Sequence, residues 1–136
     1  LSHYRRIVRD MDLDDRIVFC GTRDFSLLAH YLNQADILVS PRTRGNNTPM
    51  KIYSYLGSAK PILATKLPTH TQVLDETVAC LCEPDPGNFA EGILLLAGNP
   101  ELREKLGESG QRLAREKYSL DAYRKKLADF YQQLFD

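Results

Sequence analysis

The residues best suited to chemistry lie in one polar loop and at the start of the segment that follows it. The loop, Pro41 to Thr48, contains Arg42 and Arg44, and Lys51 follows three residues after it. No acidic residue occurs from residue 37 to residue 74. Guanidinium and ammonium groups without neighbouring carboxylates are suited to binding an anion, and a guanidinium can hold a phosphate through two parallel hydrogen bonds. The pattern favours an anion site over the alternative, a loop whose cations lie free in solvent.

The residues after the loop predict the start of a helix. Thr48 fits the N-cap position and Pro49 the first helical position, so we expect a helix over residues 49–58. The first amides of a helix lack intrahelical partners and can bind an anion. Lys51 in the first turn opposes the helix dipole by about 0.3–1 kcal/mol, a cost that a bound anion would offset. We therefore expect this helix start and the cations to face one concave, basic surface.

Apolar runs that alternate with helical patterns must position this loop. They predict four strands, at residues 16–21, 35–41, 61–65 and 78–83, and helices at residues 2–11, 24–33, 88–97, 100–114 and 119–134. Asn88 and Ser119 are predicted to cap the helices that begin with them. Inner strands that are apolar throughout are typical of a parallel sheet covered on both faces. Ligands bind such sheets beyond the carboxyl ends of the strands. We expect a single α/β domain over residues 1–136, a Rossmann-like doubly wound parallel sheet with helices on both faces.

Composition and charge exclude several classes of protein. Of the 136 residues 43% are hydrophobic and 26% charged, which excludes a disordered chain or a coiled coil as a description of the whole. Lys and Arg number 18, as do Asp and Glu, and this neutrality argues against nucleic acid as a partner. The longest aliphatic run, Ile93 to Ala97, is far too short to span a bilayer.

The residue types that most often bind metals occur without a metal-binding spacing. These residues are Cys20, Cys80, Cys82, His3, His30 and His70. An odd number of cysteines without a C-x-x-C motif indicates reduced thiols rather than a disulfide framework or a metal site. The histidines are expected to be structural or surface groups. Reduced thiols are typical of the cytoplasm, which is the expected location.

Several segments resemble one family. Residues 46–65, NNTPMKIYSYLGSAKPILAT, resemble the donor-binding helix and following strand of retaining glycosyltransferases of the GT-B fold, often called glycosyl transferases group 1. DDRIVFCG at 14–21 and ADILVSP at 35–41 resemble two strands of that family. NPELREKLG at 99–107 and REKYS at 115–119 resemble its C-terminal helices. The similarity covers essentially the whole chain in the right order.

The resemblance implies that this chain is the C-terminal half of a GT-B protein, which binds a nucleotide diphosphate-sugar donor. It implies donor contacts from Gly21, Thr22, Arg42, Arg44, Thr48, Met50, Lys51 and Ser54. Gly21 and Thr22 match the edge that binds the base, and the amides of Thr48, Met50 and Lys51 match the diphosphate contacts. The family has two glutamates eight positions apart, and these correspond here to Asn46 and Ser54. Asn46 can still contact the transferred sugar, whereas Ser54 is too short for the usual grip on the ribose.

The reaction implied is hexosyl transfer with retention. Cations and helix amides would stabilise the charge that grows on the leaving diphosphate, so neither a metal nor a cofactor is expected. The acceptor, a glycan or a lipid, would bind a separate N-terminal half, and the whole protein would lie in the cytoplasm or at the inner face of its membrane. We expect the chain to begin after the first strand of its own half and to be inactive alone. A sheet edge exposed in this way could pair with a second copy.

Three alternatives compete with this interpretation. A response-regulator receiver would need an aspartate at the end of a central strand, where this chain has Ser40, so we discount it. A non-catalytic nucleotide-sugar binding module would explain the absence of both glutamates. A sugar-nucleotide epimerase of the same fold would convert the nucleotide-sugar without an acceptor. The last two remain open on the sequence.

Overall fold

The computed structural model describes residues 1–135, and helices separate its strands. The described strands are β1 (Leu38–Ser40), β2 (Ile62–Thr65) and β3 (Cys80–Cys82). The described α-helices are α1 (Ser2–Asp10), α2 (Leu28–Gln34), α3 (Lys51–Gly57), α4 (Pro68–Thr71), α5 (Pro86–Gly98), α6 (Pro100–Leu113) and α7 (Leu120–Phe135). A 3₁₀ turn (Phe25–Leu27) precedes α2, and a π-helical turn (Ala114–Tyr118) joins α6 to α7.

The three strands form one parallel sheet in the order β1-β2-β3. Ser40 pairs with Ala64, and Thr65 pairs with Cys82, so the carboxyl ends of the strands lie along one edge. The central strand β2 is fully buried, as its unbroken apolar sequence predicts. β1 lies at the side of the sheet, and its middle residue Val39 is 39% exposed rather than buried as expected.

Side chains alternate across β2 and divide the core between the two faces of the sheet. Ile62 and Ala64 pack with residues of α3, among them the fully buried Ile52. Leu63 packs on the opposite face with Leu96 of α5 and with α6. Because successive side chains of a strand point to opposite faces, these two clusters show that helices cover both faces of the sheet. The predicted α/β Rossmann-like fold class is confirmed.

The predicted strand at residues 16–21 is wrong. This segment has no strand conformation and pairs with none of the described strands, although Ile17, Val18 and Phe19 fit a strand by composition. Val18 is 81% exposed. Apolar residues favour a strand only where a neighbouring strand supplies hydrogen bonds and packing, and this segment lacks both. The described sheet therefore has three strands instead of the four expected.

Helix ends follow the predicted residues in some places and differ in others. The Ser119 hydroxyl accepts a hydrogen bond from the Ala122 amide at 3.1 Å, so Ser119 caps α7 as expected. Asn88 was expected to cap α5, but α5 begins at Pro86 and its cap is Asp85, whose carboxylate accepts from the Asn88 amide at 3.0 Å. Asn88 is therefore inside the helix, because Asp85 provides the earlier acceptor.

The connection from α3 to β2 is tightly constrained. Ala59 has a φ of +57°, the left-handed conformation that favours glycine. A side chain at Gly107 of α6 would collide with the carbonyl group of Ala59. This close approach sets how α6 packs against the end of α3. Among residues 1–135, none of the helices is both long and apolar enough to cross a membrane.

Candidate functional site

The loop between β1 and α3 lies at the carboxyl edge of the sheet and is organised around Arg42. One guanidinium nitrogen of Arg42, Nη1, donates to the carbonyl of Asn47 at 3.0 Å and to the hydroxyl of Thr69 at 3.1 Å. The first bond folds the arginine back along its own loop, and the second connects it to α4. The guanidinium has five donor hydrogens, so two bonds leave further donors for a ligand.

Lys51 brings a second cation to the same edge. Its ammonium donates to the carbonyl of Val39 in β1 at 3.4 Å and lies 5.6 Å from the centre of the Tyr55 ring. Burial lowers the pKa of Lys51, and the charge of Arg42 lowers it further. Two cations that repel each other in this way form a site that an anion would stabilise.

Side chains from the β2–α4 region hold the carbonyls of the loop. The Thr65 hydroxyl donates to the carbonyl of Arg42 at 2.6 Å, and the Thr69 hydroxyl donates to that of Asn47 at 2.6 Å. The amide of Gln72 donates to the carbonyl of Asn46 at 2.8 Å. The loop is therefore fixed at three points, which reduces the entropy that a ligand would lose on ordering it.

A buried polar cluster lies beneath the loop. The imidazole Nε2 of His70 lies 2.9 Å from the hydroxyl of Ser40, and its Nδ1 lies 2.8 Å from the carbonyl of Thr65. Ser40 and His70 are both 0% exposed. Burial lowers the pKa of His70, and the charges of Lys51 and Arg42 lower it further, whereas the bond to Thr65 opposes the shift. The sequence predicts that Ser40 and Thr65 lie at strand ends, but no spacing in it indicates that His70 contacts them.

The predicted anion-binding residues are only partly assembled. The charge of Arg42 acts on Lys51 and lowers its pKa. Arg44 is exposed and forms no hydrogen bond or ion pair with any residue of the part described, 1–135. Asn46 is also exposed, and Met50 is 78% exposed. Ser54 is half-buried on α3.

The predicted helix start at Pro49 with Thr48 as its cap is wrong by two residues. The α-helix begins at Lys51, and its N-cap is Met50, whose side chain forms no capping bond. The preceding turn is held by a bond of the 3₁₀ type, which spans three residues instead of four: the amide of Ile52 donates to the carbonyl of Pro49 at 3.0 Å. Thr48 is half-buried. Because α3 has only seven residues, the positive charge of the site comes mainly from side chains rather than from the helix end.

Gly21 and Thr22 lie in a different part of the chain surface. Gly21 has a φ of +68° and lines a cavity of about 300 Å³ together with Arg23 and Phe25. Thr22 lines a neighbouring cavity with Gly21. Beside the loop is a separate cavity of about 350 Å³, lined by Pro41, Thr65, Phe89 and others. The cavity beside the loop shares no residue with the two cavities that Gly21 and Thr22 line, so the structure does not bring the predicted base-binding residues into one cavity with the loop.

Metal-binding side chains do not cluster in the part of the chain that the structure describes. Within residues 1–135, no three His, Cys, Asp or Glu side chains are close enough to hold a metal ion together. Cys80 and Cys82 are half-buried in β3, and burial raises the pKa of both thiols. Both cysteines pack with the apolar cluster around Leu63.

The parallel sheet covered on both faces, with a basic loop at its carboxyl edge, defines the class of protein as a Rossmann-like GT-B domain. The solved structures agree. Sucrose-phosphate synthase from Thermosynechococcus elongatus superposes with a TM-score of 0.84 at 23% identity over 98% of this chain and 34% of its own. Anabaena HepE in complex with UDP superposes with a TM-score of 0.87 at 15% identity over 97% of this chain and 36% of its own.

Sequence comparison identifies the family itself. The model of the family described as Glycosyl transferases group 1 matches residues 2–99, and the chain belongs to this family. The human alpha-1,3/1,6-mannosyltransferase ALG2 is 31% identical over 75 residues, which are 54% of this chain and 18% of the relative. The chain therefore spans about a fifth of this curated relative and about a third of the two solved structures above.

Proposed function

We propose that this chain binds the nucleoside diphosphate part of a sugar-nucleotide donor and serves a hexosyltransferase that acts with retention. The pair of cations, Arg42 and Lys51, carries this proposal, because hydrogen bonds to the loop, α4 and β1 hold both at the carboxyl edge of the sheet, where their charges repel each other. No acidic residue between positions 37 and 74 neutralises them. A diphosphate would relieve the repulsion and accept hydrogen bonds from both side chains.

The proposed chemical role is stabilisation of the leaving group. As the bond between sugar and diphosphate breaks, negative charge grows on the phosphate oxygens. Cations that are already in place stabilise this charge without reorganising, which lowers the barrier. Arg42 is held by Asn47 and Thr69 before any ligand arrives, which fits such a role. We propose that this arrangement makes a metal or other cofactor unnecessary.

Relatives support the ligand class. ALG2 is a mannosyltransferase, and HepE structures contain UDP, UDP with glucose, or UDP-glucose. We propose a donor of the same chemical kind here, with Gly21 and Thr22 near the base, and with Thr48, Met50 and Ser54 contributing around the diphosphate and ribose. Arg44 is proposed to turn toward the diphosphate when it binds, and Asn46 to contact the sugar.

The remaining properties concern the protein as a whole. We propose that the acceptor, a glycan or lipid, binds a separate half of the protein, and that this chain alone does not catalyse transfer. Positioning two reactants can lower a barrier by roughly 7–11 kcal/mol, and one half cannot position both. We also propose that the protein acts in the cytoplasm or at the inner face of its membrane. β1, at the side of the described sheet, could pair with a second copy.

Calorimetric titration of the chain with UDP, GDP and ADP tests the binding proposal. We expect one of them to bind, more weakly as salt rises from 50 to about 500 mM, because screening reduces the attraction between the cations and the diphosphate. The matching nucleoside monophosphate should bind more weakly still, since it offers less charge to Arg42 and Lys51. Absence of binding by all three diphosphates at millimolar concentration would refute a donor site.

A non-catalytic binding module is the second candidate, and Asn46 and Ser54 favour it. Both stand where the family has glutamates, so the acidic contacts to the sugar and ribose are absent. Donor consumption and acceptor glycosylation by the full-length protein separate the candidates. Turnover supports the transferase, whereas tight nucleotide binding without turnover supports the binding module. Asn46→Glu with Ser54→Glu should then raise donor affinity in either case.

A further inference from the structure

We propose that His70 is a positioning residue that holds the basic loop 41–48 in its ligand-binding geometry through Ser40 and Thr65. The role in binding rests on the proposed function, but the role in holding the loop does not. His70 is one of the few buried polar side chains of the described chain, and it lies at the carboxyl edge beneath the cations. None of the residues so far assigned to donor contact explains why an imidazole is buried there.

The contacts of the ring determine its protonation and orientation. A carbonyl can only accept, so Nδ1, 2.8 Å from the carbonyl of Thr65, must carry the hydrogen. In the neutral ring Nε2 is then an acceptor, and the hydroxyl of Ser40 donates to it at 2.9 Å. Nδ1 also lies 3.1 Å from the Thr65 hydroxyl. The ring thus connects the carboxyl ends of β1 and β2, and a neutral ring satisfies every partner.

Two connected routes lead from the ring to the loop. The first runs through Thr65, whose hydroxyl lies beside the ring and donates to the carbonyl of Arg42 at 2.6 Å. The second runs through α4, which carries both His70 and Thr69. Thr69 in turn contacts Asn47 and Arg42. Removing the ring contacts would release β1, β2 and α4 from one another and so loosen the loop at Arg42 and Asn47.

The charged groups around the ring favour its neutral form. Lys51 on α3 and Arg42 in the loop are the charges that act on it, and both are positive. The nearest stretch of sequence offers no carboxylate, since residues 37–74 contain none. A charged imidazole would add a third cation to a buried position and would turn the acceptor Nε2 into a donor. The loop geometry described above therefore belongs to the neutral ring.

Three variants separate positioning from bulk stability. Ser40→Ala removes one ring contact with little change in volume. His70→Asn places an amide where Nδ1 lies, keeps a donor for the carbonyl of Thr65 and loses the bond to Ser40. His70→Leu loses both. The matched control is Thr71→Ala, an exposed residue of the same short helix α4.

Loop order is measured by the rate of trypsin cleavage after Arg42 and Arg44. Cleavage after Arg112, inside α6, reports unfolding of the domain as a whole. We expect His70→Leu to accelerate loop cleavage at least fivefold relative to Arg112, with Ser40→Ala and His70→Asn intermediate and Thr71→Ala unchanged. The same order is expected for the loss of affinity for UDP, about tenfold in His70→Leu.

The outcomes distinguish this proposal from the proposed function. If His70→Leu lowers the melting temperature but cleaves at the loop and at Arg112 in the wild-type ratio, His70 is only a core residue and the proposal is overturned. If His70→Leu does not fold, the ratio of loop cleavage to Arg112 cleavage in Ser40→Ala decides the question in the same way. If wild-type protein binds no nucleoside diphosphate, the proposed function fails, while the cleavage ratios still decide whether His70 holds the loop.

Discussion

Removing the charge of Lys51 is the most direct test of whether the site binds a diphosphate. We expect Lys51→Met to weaken binding of the preferred nucleoside diphosphate while leaving the fold intact. Methionine keeps an unbranched stem that can cover the Tyr55 ring as lysine does. It removes the ammonium, which in the unliganded protein has only a long bond of 3.4 Å to the carbonyl of Val39. The substitution therefore removes charge and little else.

The expected size of the effect follows from the position of the ammonium. A hydrogen bond between charged partners contributes about 1.5–3 kcal/mol when it is desolvated. Lys51 is exposed as a residue, although burial lowers its pKa, so the lower end of this range applies. A loss of about 1.5–2 kcal/mol corresponds to a dissociation constant raised about tenfold to thirtyfold. Because the repulsion with Arg42 disappears, the unliganded variant should be as stable as the wild type or slightly more stable.

Lys60→Met is the matched control. Lys60 belongs to the same stretch without acids, but it precedes β2 and so lies at the amino edge of the sheet. Both variants change the net charge by the same amount, so a general effect of charge would move both equally. We expect less than a twofold change for Lys60→Met in calorimetry at low salt. The salt dependence of binding should also be smaller in Lys51→Met than in the control.

Equal weakening by both variants would refute the reasoning, because the diphosphate would then respond to net charge rather than to a site. Unchanged affinity in Lys51→Met would refute it as well. If Lys51→Met binds the diphosphate normally and Arg42→Gln does not, the anion site consists of the loop alone. Melting temperatures of all variants, measured without ligand, exclude loss of fold as the cause.

Three further predictions concern stability. Ala59→Gly should raise the free energy of unfolding by about 1 kcal/mol, since glycine adopts a φ of +57° without strain, and thermal unfolding measures it. Gly92→Ala should lower it by about 1–3 kcal/mol in denaturant titration, because the new methyl would lie 2.6 Å from Leu63. The pKa of His70 is lowered from its ordinary value of 6.5, so its neutral contacts stabilise fully above that pH. That stability should fall as pH drops through the lowered pKa, and melting curves should show a smaller fall in His70→Asn.

Local patterns were enough to predict the centre of the fold. The unbroken apolar run at residues 61–65 predicted a strand buried on both faces, and β2 occupies Ile62–Thr65 with every residue buried. Ser119 was predicted as a helix cap from its own position, and its hydroxyl accepts the bond expected. Each of these features depends on residues within a few positions of one another, which is why the sequence alone determines them.

One error occurs where a feature depends on a partner elsewhere in the chain, and another where two neighbouring residues compete for the same role. Residues 16–21 have the composition of a strand, but a strand also needs a neighbour, and Val18 is 81% exposed without one. Asn88 and Asp85 are both good caps by type. Only the conformation of the Asp85–Pro86 turn decides between them, and Asp85 comes first. Residue types therefore indicate which segments can form a strand and which residues can cap a helix, but they do not determine which of them do so.

In the candidate site, too, the sequence indicates the residue types but not the contacts between residues that are far apart in the chain. The cations of the loop were evident from the absence of acids over residues 37–74, so charge alone indicated an anion. The bonds that fix the loop join residues far apart in sequence: Thr65 to Arg42, Gln72 to Asn46, and His70 to Ser40. No spacing rule connects such pairs, because the parallel crossover from β1 through α3 to β2 is what brings them together. Thus residue types indicate which ligand can bind, whereas the sheet determines which of the cations meet: it brings Arg42 to Lys51 and leaves Arg44 in solvent.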